Sequence, residues 1–301
     1  METEGRGRAD GAGGRQRRAA PAVRSGMMLD ALGPRTEAWF VNETIPWPAT
    51  AGVGAAIALR TPSDPSFRWG NLLVLAEPLR PGARALWEAR FDQAFADVPE
   101  VRHRTFAWTG EDGALDELEA AGYDVDRNTV RLAGPTDVVP PGDGPGGFAL
   151  AAVTSDADWH AVLGLHTADP HGEDPGAYRL HRERRNALYR SIAAGGVPGL
   201  RGGWYLATLH GEPAGSMGVF VRGDLARFQF VHVAPRHRRR GVATAMVRRV
   251  AREAFERWGA RRAAIMVDEG TPAEGIYARA GFGRIAERYV GACLATRAQT
   301  P

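Results

Sequence analysis

The stretch FQFVHVAPRHRRRGVATAMVRRVAREAFERWG, Phe228 to Gly259, constrains this chain more than any other. It opens with the β-branched and aromatic residues of a strand and ends in a helix, because Ala243, Met246, Val247, Val250, Ala254, Phe255 and Trp258 recur at helical spacing and form one apolar stripe. A stripe of that kind has to be buried against another element, so a strand leading directly into it implies a layered α/β fold. Between the two lies an arginine-rich turn closed by Gly241. The first four N–H groups of a helix have no partner within it and the macrodipole makes them electropositive, so such a turn attracts phosphate oxygens. Gly241 and the small Ala243 let a pyrophosphate approach the backbone, and Arg238, Arg239 and Arg240 add charge that persists at any physiological pH.

A chain of 301 residues makes one large domain or two ordinary ones, and 44% hydrophobic with 24% charged residues marks most of it as globular. All 38 basic residues are arginine, which excludes Schiff-base and lysine general-base chemistry. With a net charge of only +3, the placement of those arginines says more than their number. The single cysteine, Cys293, excludes an internal disulfide framework and a multi-cysteine metal site, fits a reducing cytoplasm, and reads as a core residue of the last strand. No apolar run is long enough for a membrane span. Residues 1–34 read as a disordered basic tail whose first 26 residues lack the apolar core of a signal peptide, and Met27-Met28 leaves open a natural start there.

Three prolines and four glycines within Thr136 to Gly147 place a linker at 136–147, between units at 35–135 and 148–301. In the first unit, AAIALRT, FRWGNLLVL, HRTFAWT and YDVDRNTVRLAG read as strands. GARALWEARFDQAFAD and ALDELEAAG read as helices, the former with Leu86, Phe91 and Phe95 near one face. The second unit opens with a helix capped by Thr154 or Ser155 and an arginine-laced helix, GAYRLHRERRNALYRSIAAG. A meander of strands, the helix described above, the strand RRAAIMVDE, the helix TPAEGIYARAG capped by Thr271, and a final strand complete it. Gly281 lies 159 positions after Gly122, and Gly241 lies 159 after Gly82. A shared offset in the same order of elements points to a duplicated unit.

Arg238, Gly241 and Ala243 match the (Q/R)-x-x-G-x-(G/A) loop of the GCN5-related N-acetyltransferases (GNAT), and IYARAGF, Ile276 to Phe282, resembles that family's second signature. The resemblance implies a central twisted mixed sheet flanked by helices, here in two tandem GNAT-like units. It implies acetyl-CoA as co-substrate, with backbone groups of Val231 and Val233 pairing the pantetheine arm and Arg238, Arg239, Arg240, Gly241, Val242, Ala243 and Thr244 at the pyrophosphate. Tyr277 would protonate the departing thiolate, and a phenol is protonated at neutral pH. The expected reaction is acetyl transfer to a primary amine of a small molecule, without metal or membrane, in a protein for which a homodimer is one open assembly.

The family often places a carboxylate on the strand before the loop. This chain has Arg227 and Gln229 there, so the proton acceptor is open; His232 is the candidate by its pKa range. Asp268 and Glu269 read as helix-capping residues, and Gly270 stands where relatives often carry asparagine. His166 and His171 flank Pro170 without sharing a helix face, so ADPHGED reads as a substrate-side loop and not as a metal site. In the first unit, Leu79, Arg84 and Leu118 stand at the offset positions of Arg238, Ala243 and Tyr277, as in a copy that has lost its cofactor loop. Two other classes remain open: a non-catalytic acyl-CoA sensor, and a nucleic-acid binder using Arg236 to Arg240 with RLHRERRNALYR.

Overall fold

The computed structural model describes residues 50–52, 56–61, 64–170 and 174–295. The readings made for the tail, for residues 35–49 and for His171 lie outside the described residues. The strands are β1 (Thr50–Gly52), β2 (Ala56–Leu59), β3 (Leu72–Leu75), β4 (His103–Thr109), β5 (Asp124–Ala133), β6 (Phe148–Ala152), β7 (Arg201–Leu209), β8 (Glu212–Arg222), β9 (Leu225–Val233), β10 (Arg262–Asp268) and β11 (Arg284–Ala295). The helices are α1 (Arg84–Ala94), α2 (Leu115–Ala120), α3 (Asp156–Thr167), α4 (Pro175–Ala193), α5 (Val242–Glu256) and α6 (Pro272–Ala280).

These strands join one mixed sheet in the order β1-β2-β3-β4-β11-β5-β10-β9-β8-β7-β6. The last strand of each half crosses into the other: β11 pairs with β4, β5 pairs with β10, and the two pair antiparallel with each other at the centre. Alternation along these strands sorts the side chains. One face packs with α1 and α2 through Phe91, Phe106, Leu118 and Val290, and with α5 and α6 through Phe228, Met246, Val250 and Ile265. The opposite face carries Trp204 and Phe220 against Trp159 and Tyr189 of α3 and α4.

The 159-residue offset recurs in the elements: β4 spans 103–109 and β10 spans 262–268. Gly82 and Gly241 both take positive φ (76° and 83°), as do Gly122 and Gly281 (87° and 113°). No helix or strand lies in 136–147, where Val139 N–H donates to the Ala280 carbonyl at 3.3 Å.

Several local readings are corrected. FRWGNLLVL is a strand only from Leu72, because Arg68–Gly70 forms a 3-10 turn that Asn71 ties down by donating to the carbonyls of Asp64 and Phe67, each at 3.0 Å. Leu86 is 53% exposed; α1 buries Phe91, whose ring stacks at 4.4 Å on that of the C-cap residue Phe95. Strand β6 was not expected: an edge strand of mostly accessible alanines has no alternation of hydrophobicity to betray it.

Candidate active site

β9 and β10 run parallel, yet they pair only over Leu225–Arg227 with Arg262–Ala264. Beyond that point β9 holds to β8 and β10 holds to β5, so the sheet opens between them. A bulge accompanies the opening. The β8–β9 register shifts between Ser216 and Gly218, and Phe230 takes φ 46°, strained for a residue with a side chain. After the bulge, Ala234 N–H still donates to the Ala214 carbonyl of β8. Val233 therefore turns its backbone groups to the open edge, by the alternation of an antiparallel ladder.

A cleft of about 670 Å³ runs along this edge, lined by Val231, Val233, Gly241, Thr244, Ile276 and Tyr277 among others. Its far end is the turn before α5. Gly241 is the N-cap in the left-handed region, no side chain caps the helix, and Ala245 N–H makes the first 5→1 bond, back to Gly241 at 3.0 Å. The N–H groups of Val242, Ala243 and Thr244 thus precede the helical ladder and face the cleft end. Nothing lies within 4 Å of where a Cβ on Gly241 would stand, so the approach is clear. Arg239 and Arg240 are exposed there, whereas Arg238 is held by the Asp169 carboxylate and donates Nε to the Val233 carbonyl at 3.1 Å.

Tyr277, 9% exposed, sits where this cleft meets a second, smaller pocket of about 350 Å³ on the opposite face of the sheet. Burial, and then the nearby Asp268 charge, push its phenol up to about 12, so it stays protonated at working pH. The floor of the second pocket is set by register: Asp268, Asn128 and Tyr289 stand abreast on β10, β5 and β11, with Asp126 and Gly291 the next pair along. Trp69 closes the side by lying over Gly291, where a Cβ would come within 2.5 Å of the indole. Both halves therefore build this pocket.

His232 lines the same cleft as Tyr277, but its ring turns toward the α3–α4 side. Phe230 and His232 face the α3–α4 side, their rings parallel at 6.0 Å. His232 lies 5.6 Å from the ring of His166, which is fully buried, contacts Ser216 Oγ at 2.8 Å and lies 3.0 Å from an Arg182 nitrogen. Burial, with the charges of Arg182 and His232, holds His166 well below the ordinary histidine pKa. Asp268 and Glu269 do not cap α6 with their side chains. Only the Asp268 backbone carbonyl takes part, accepting from Thr271 Oγ1 at 2.9 Å, while Glu269 pairs with Arg288 at 2.5 and 2.9 Å. Cys293 is buried opposite Thr105. In RLHRERRNALYR, Arg182 and Arg185 are buried, which removes them from any surface footprint for nucleic acid. Among the described residues no cluster of potential metal ligands occurs, and no helix is long and apolar enough to cross a membrane.

Sequence reasoning passed over Asp126, Asn128 and Tyr289, and read Asp268 otherwise. The available signal was the period-2 run Asp124, Asp126, Asn128 at the start of a strand whose far end is wholly buried.

In the first half the same turn is closed. Gly82 N–H donates to Glu117 Oε2 at 2.7 Å, and Arg84 pairs with Glu88 at 2.8 Å. A carboxylate of the chain occupies the helix start that α5 leaves open, and Leu118 is fully buried where Tyr277 borders the cleft.

Residues 162–282 match the model of the Acetyltransferase (GNAT) family. The chain resembles a functionally unknown conserved protein from Staphylococcus epidermidis (TM-score 0.70, 10% identity, 89% of this chain and 100% of that one). It also resembles a GCN5-related N-acetyltransferase from Kribbella flavida (TM-score 0.60, 19% identity, 90% and 95%). A tandem GNAT protein from the clavulanic acid biosynthesis pathway aligns with TM-score 0.51 and 16% identity over 76% of this chain and 74% of that one. No curated protein matches the sequence. The chain carries a GNAT acetyltransferase domain over residues 162–282 and has the fold of that superfamily.

Proposed function

We propose that the second half, residues 148–301, binds acetyl-CoA and transfers its acetyl group to a primary amine of a small molecule in the cytoplasm, without a metal. One observation carries this: an uncapped, unobstructed helix start and a protonated Tyr277 border the same cleft, which ends at a gap through the sheet. The residues present fit a diphosphate at that end, since the N–H groups of Val242 to Thr244 point where Gly241 leaves space and Arg239 and Arg240 add charge. The open edge at Val231 and Val233 suits the amide-bearing arm, with Arg238 exchanging its bond to Val233 for the ligand's. The amine attacks the thioester carbonyl from the second pocket, and Tyr277 gives its proton to the leaving sulfur. The first half serves as a degenerate copy, its helix start satisfied by Glu117 and its exchanged strand walling the acceptor side.

Calorimetric titration with acetyl-CoA, paired with turnover of Tyr277→Phe, tests the reading. The expected outcome is one molecule bound per chain, with kcat of the variant lower by about 100-fold and its affinity for acetyl-CoA retained. Turnover equal to wild type would remove the acid and favour a sensor; no heat with any coenzyme A thioester would end the proposal.

A further inference from the structure

The pocket on the far face of the sheet has a composition that selects its occupant. Resting on the acyl-transfer reading above, we infer that Asp126 and Asp268 together clamp the ammonium form of the acceptor, that Asp268 takes its proton, and that the enzyme therefore prefers amines without a carboxylate of their own. The two carboxylates stand on adjacent strands, Asp268 directly opposite Asn128 and Asp126 on the diagonal. That spacing lets one cation be reached from both. Both are accessible from the pocket, so neither is committed to the core. Each is held above the ordinary carboxylate range, Asp126 by partial burial and then by the charges of Asp268 and Asp124, Asp268 by partial burial. A cation between them relieves that repulsion and an anion would add to it.

A second observation points to a ligand independently. Gln229 is 1% exposed, lines the same pocket, and donates Nε2 to Tyr189 at 2.9 Å, while its Oε1 is buried with no hydrogen-bond partner. A buried acceptor left unmatched is costly, and an ammonium or hydroxyl of the occupant would supply the missing donor. Trp69 and Tyr289, 6.1 Å apart and edge-on, present aromatic surface beside the carboxylates, which suits an ammonium as well.

The protons balance. The ammonium gives one proton to Asp268 and becomes nucleophilic; its nitrogen bonds the acyl carbon as the carbon–sulfur bond breaks. The sulfur takes the Tyr277 proton, the proton released from nitrogen as the amide forms restores Tyr277, and Asp268 returns its proton to solvent. The charged and titratable groups around the two carboxylates are Tyr277 on α6, beside Asp268, Asp124 and Arg68, beside Asp126, and Arg227 on β9, which lines the same pocket.

The test uses the full chain with acetyl-CoA as donor and n-butylamine, diaminobutane and aminobutyrate as acceptors, for wild type, Asp126→Asn, Asp268→Asn and Asp268→Glu. Acetyl-CoA binding by calorimetry should persist in every variant, which shows the fold and the donor site to be intact. Asp126→Asn should raise KM for diaminobutane by about tenfold with the effect on KM and not kcat. Asp268→Asn should lower kcat/KM by about 100-fold and abolish the fall in rate on the acid side, with Asp268→Glu recovering part of both. Aminobutyrate should be used at least about tenfold less well than n-butylamine. The inference is overturned if aminobutyrate is preferred, if the Asn variants match wild type, or if acetyl-CoA binds and none of the three amines is acetylated. Absence of acetyl-CoA binding by wild type would instead sink the underlying acyl-transfer reading.

Discussion

Gly82 and Gly241 hold the same left-handed turn in the two halves, and a single side chain separates their fates. At Gly82 the amide is satisfied by Glu117; at Gly241 no side chain caps the helix start. Gly241→Ala should destabilise the fold by about 1 kcal/mol, the cost of a side chain at positive φ. The methyl group would stand in the approach that a diphosphate needs, so the affinity for acetyl-CoA should fall by about tenfold, equivalent to a lost charged hydrogen bond. Urea unfolding and calorimetry read the two effects separately. If affinity is unaffected, the turn is not the cradle. Gly241, Ala243 and the arginines were legible because a helix start needs only local sequence to be recognised. The partner of Arg238 was not, because Asp169 lies 69 residues away in sequence.

Among the elements, α5 and α3 were legible for the same local reason: an apolar stripe in one and a capping residue in the other. In α3, Ser155 Oγ accepts from Asp158 N–H at 3.1 Å while the Asp158 carboxylate accepts from Ser155 N–H at 2.9 Å. Ser155→Ala should cost about 1 kcal/mol in urea unfolding, with acetyl-CoA affinity unchanged because the cap is remote from the cleft. An affinity loss would mean that α3 governs the cleft directly. The bulge at Phe230 could not be read in the same way. Nothing in FQFVHV marks the one residue that leaves the alternation, since each phase mixes a polar residue, Gln229 or His232, with apolar ones; the bulge accompanies the departure of β9 from β10 while it keeps β8.

At the scale of the molecule, the halves are joined by exchanged strands and by a polar clasp. Asp64, 3% exposed, accepts from Arg184 at 2.8 Å and Ser66 at 2.7 Å and contacts His181 at 3.1 Å, joining the turn before β3 to α4. Burial alone would raise its pKa, but the bonds from His181, Ser66 and Arg184 outweigh it and hold the carboxyl at about 2, below its ordinary 3.8. A carboxyl depressed in the folded state contributes stability above its unfolded pKa and loses it as pH falls through the folded one. Asp64→Asn should therefore cost about 2 kcal/mol at neutral pH, and the gap from wild type in urea unfolding should close between about pH 4 and pH 2. A gap that does not narrow on acidification would show that the clasp works by packing alone.

By itself, the sequence determined the helices, most strands and the glycine-closed turn before α5, because periodicity, caps and glycine placement act within a few residues of chain. The tertiary structure alone decided that β5 and β11 trade places, and hence that Asp126, Asn128 and Tyr289 meet Asp268 at one pocket. Strand partners depend on which edges the rest of the sheet leaves unpaired. That choice depends on contacts between residues far apart in the chain, such as Ala133 with Ala263, which no local pattern encodes.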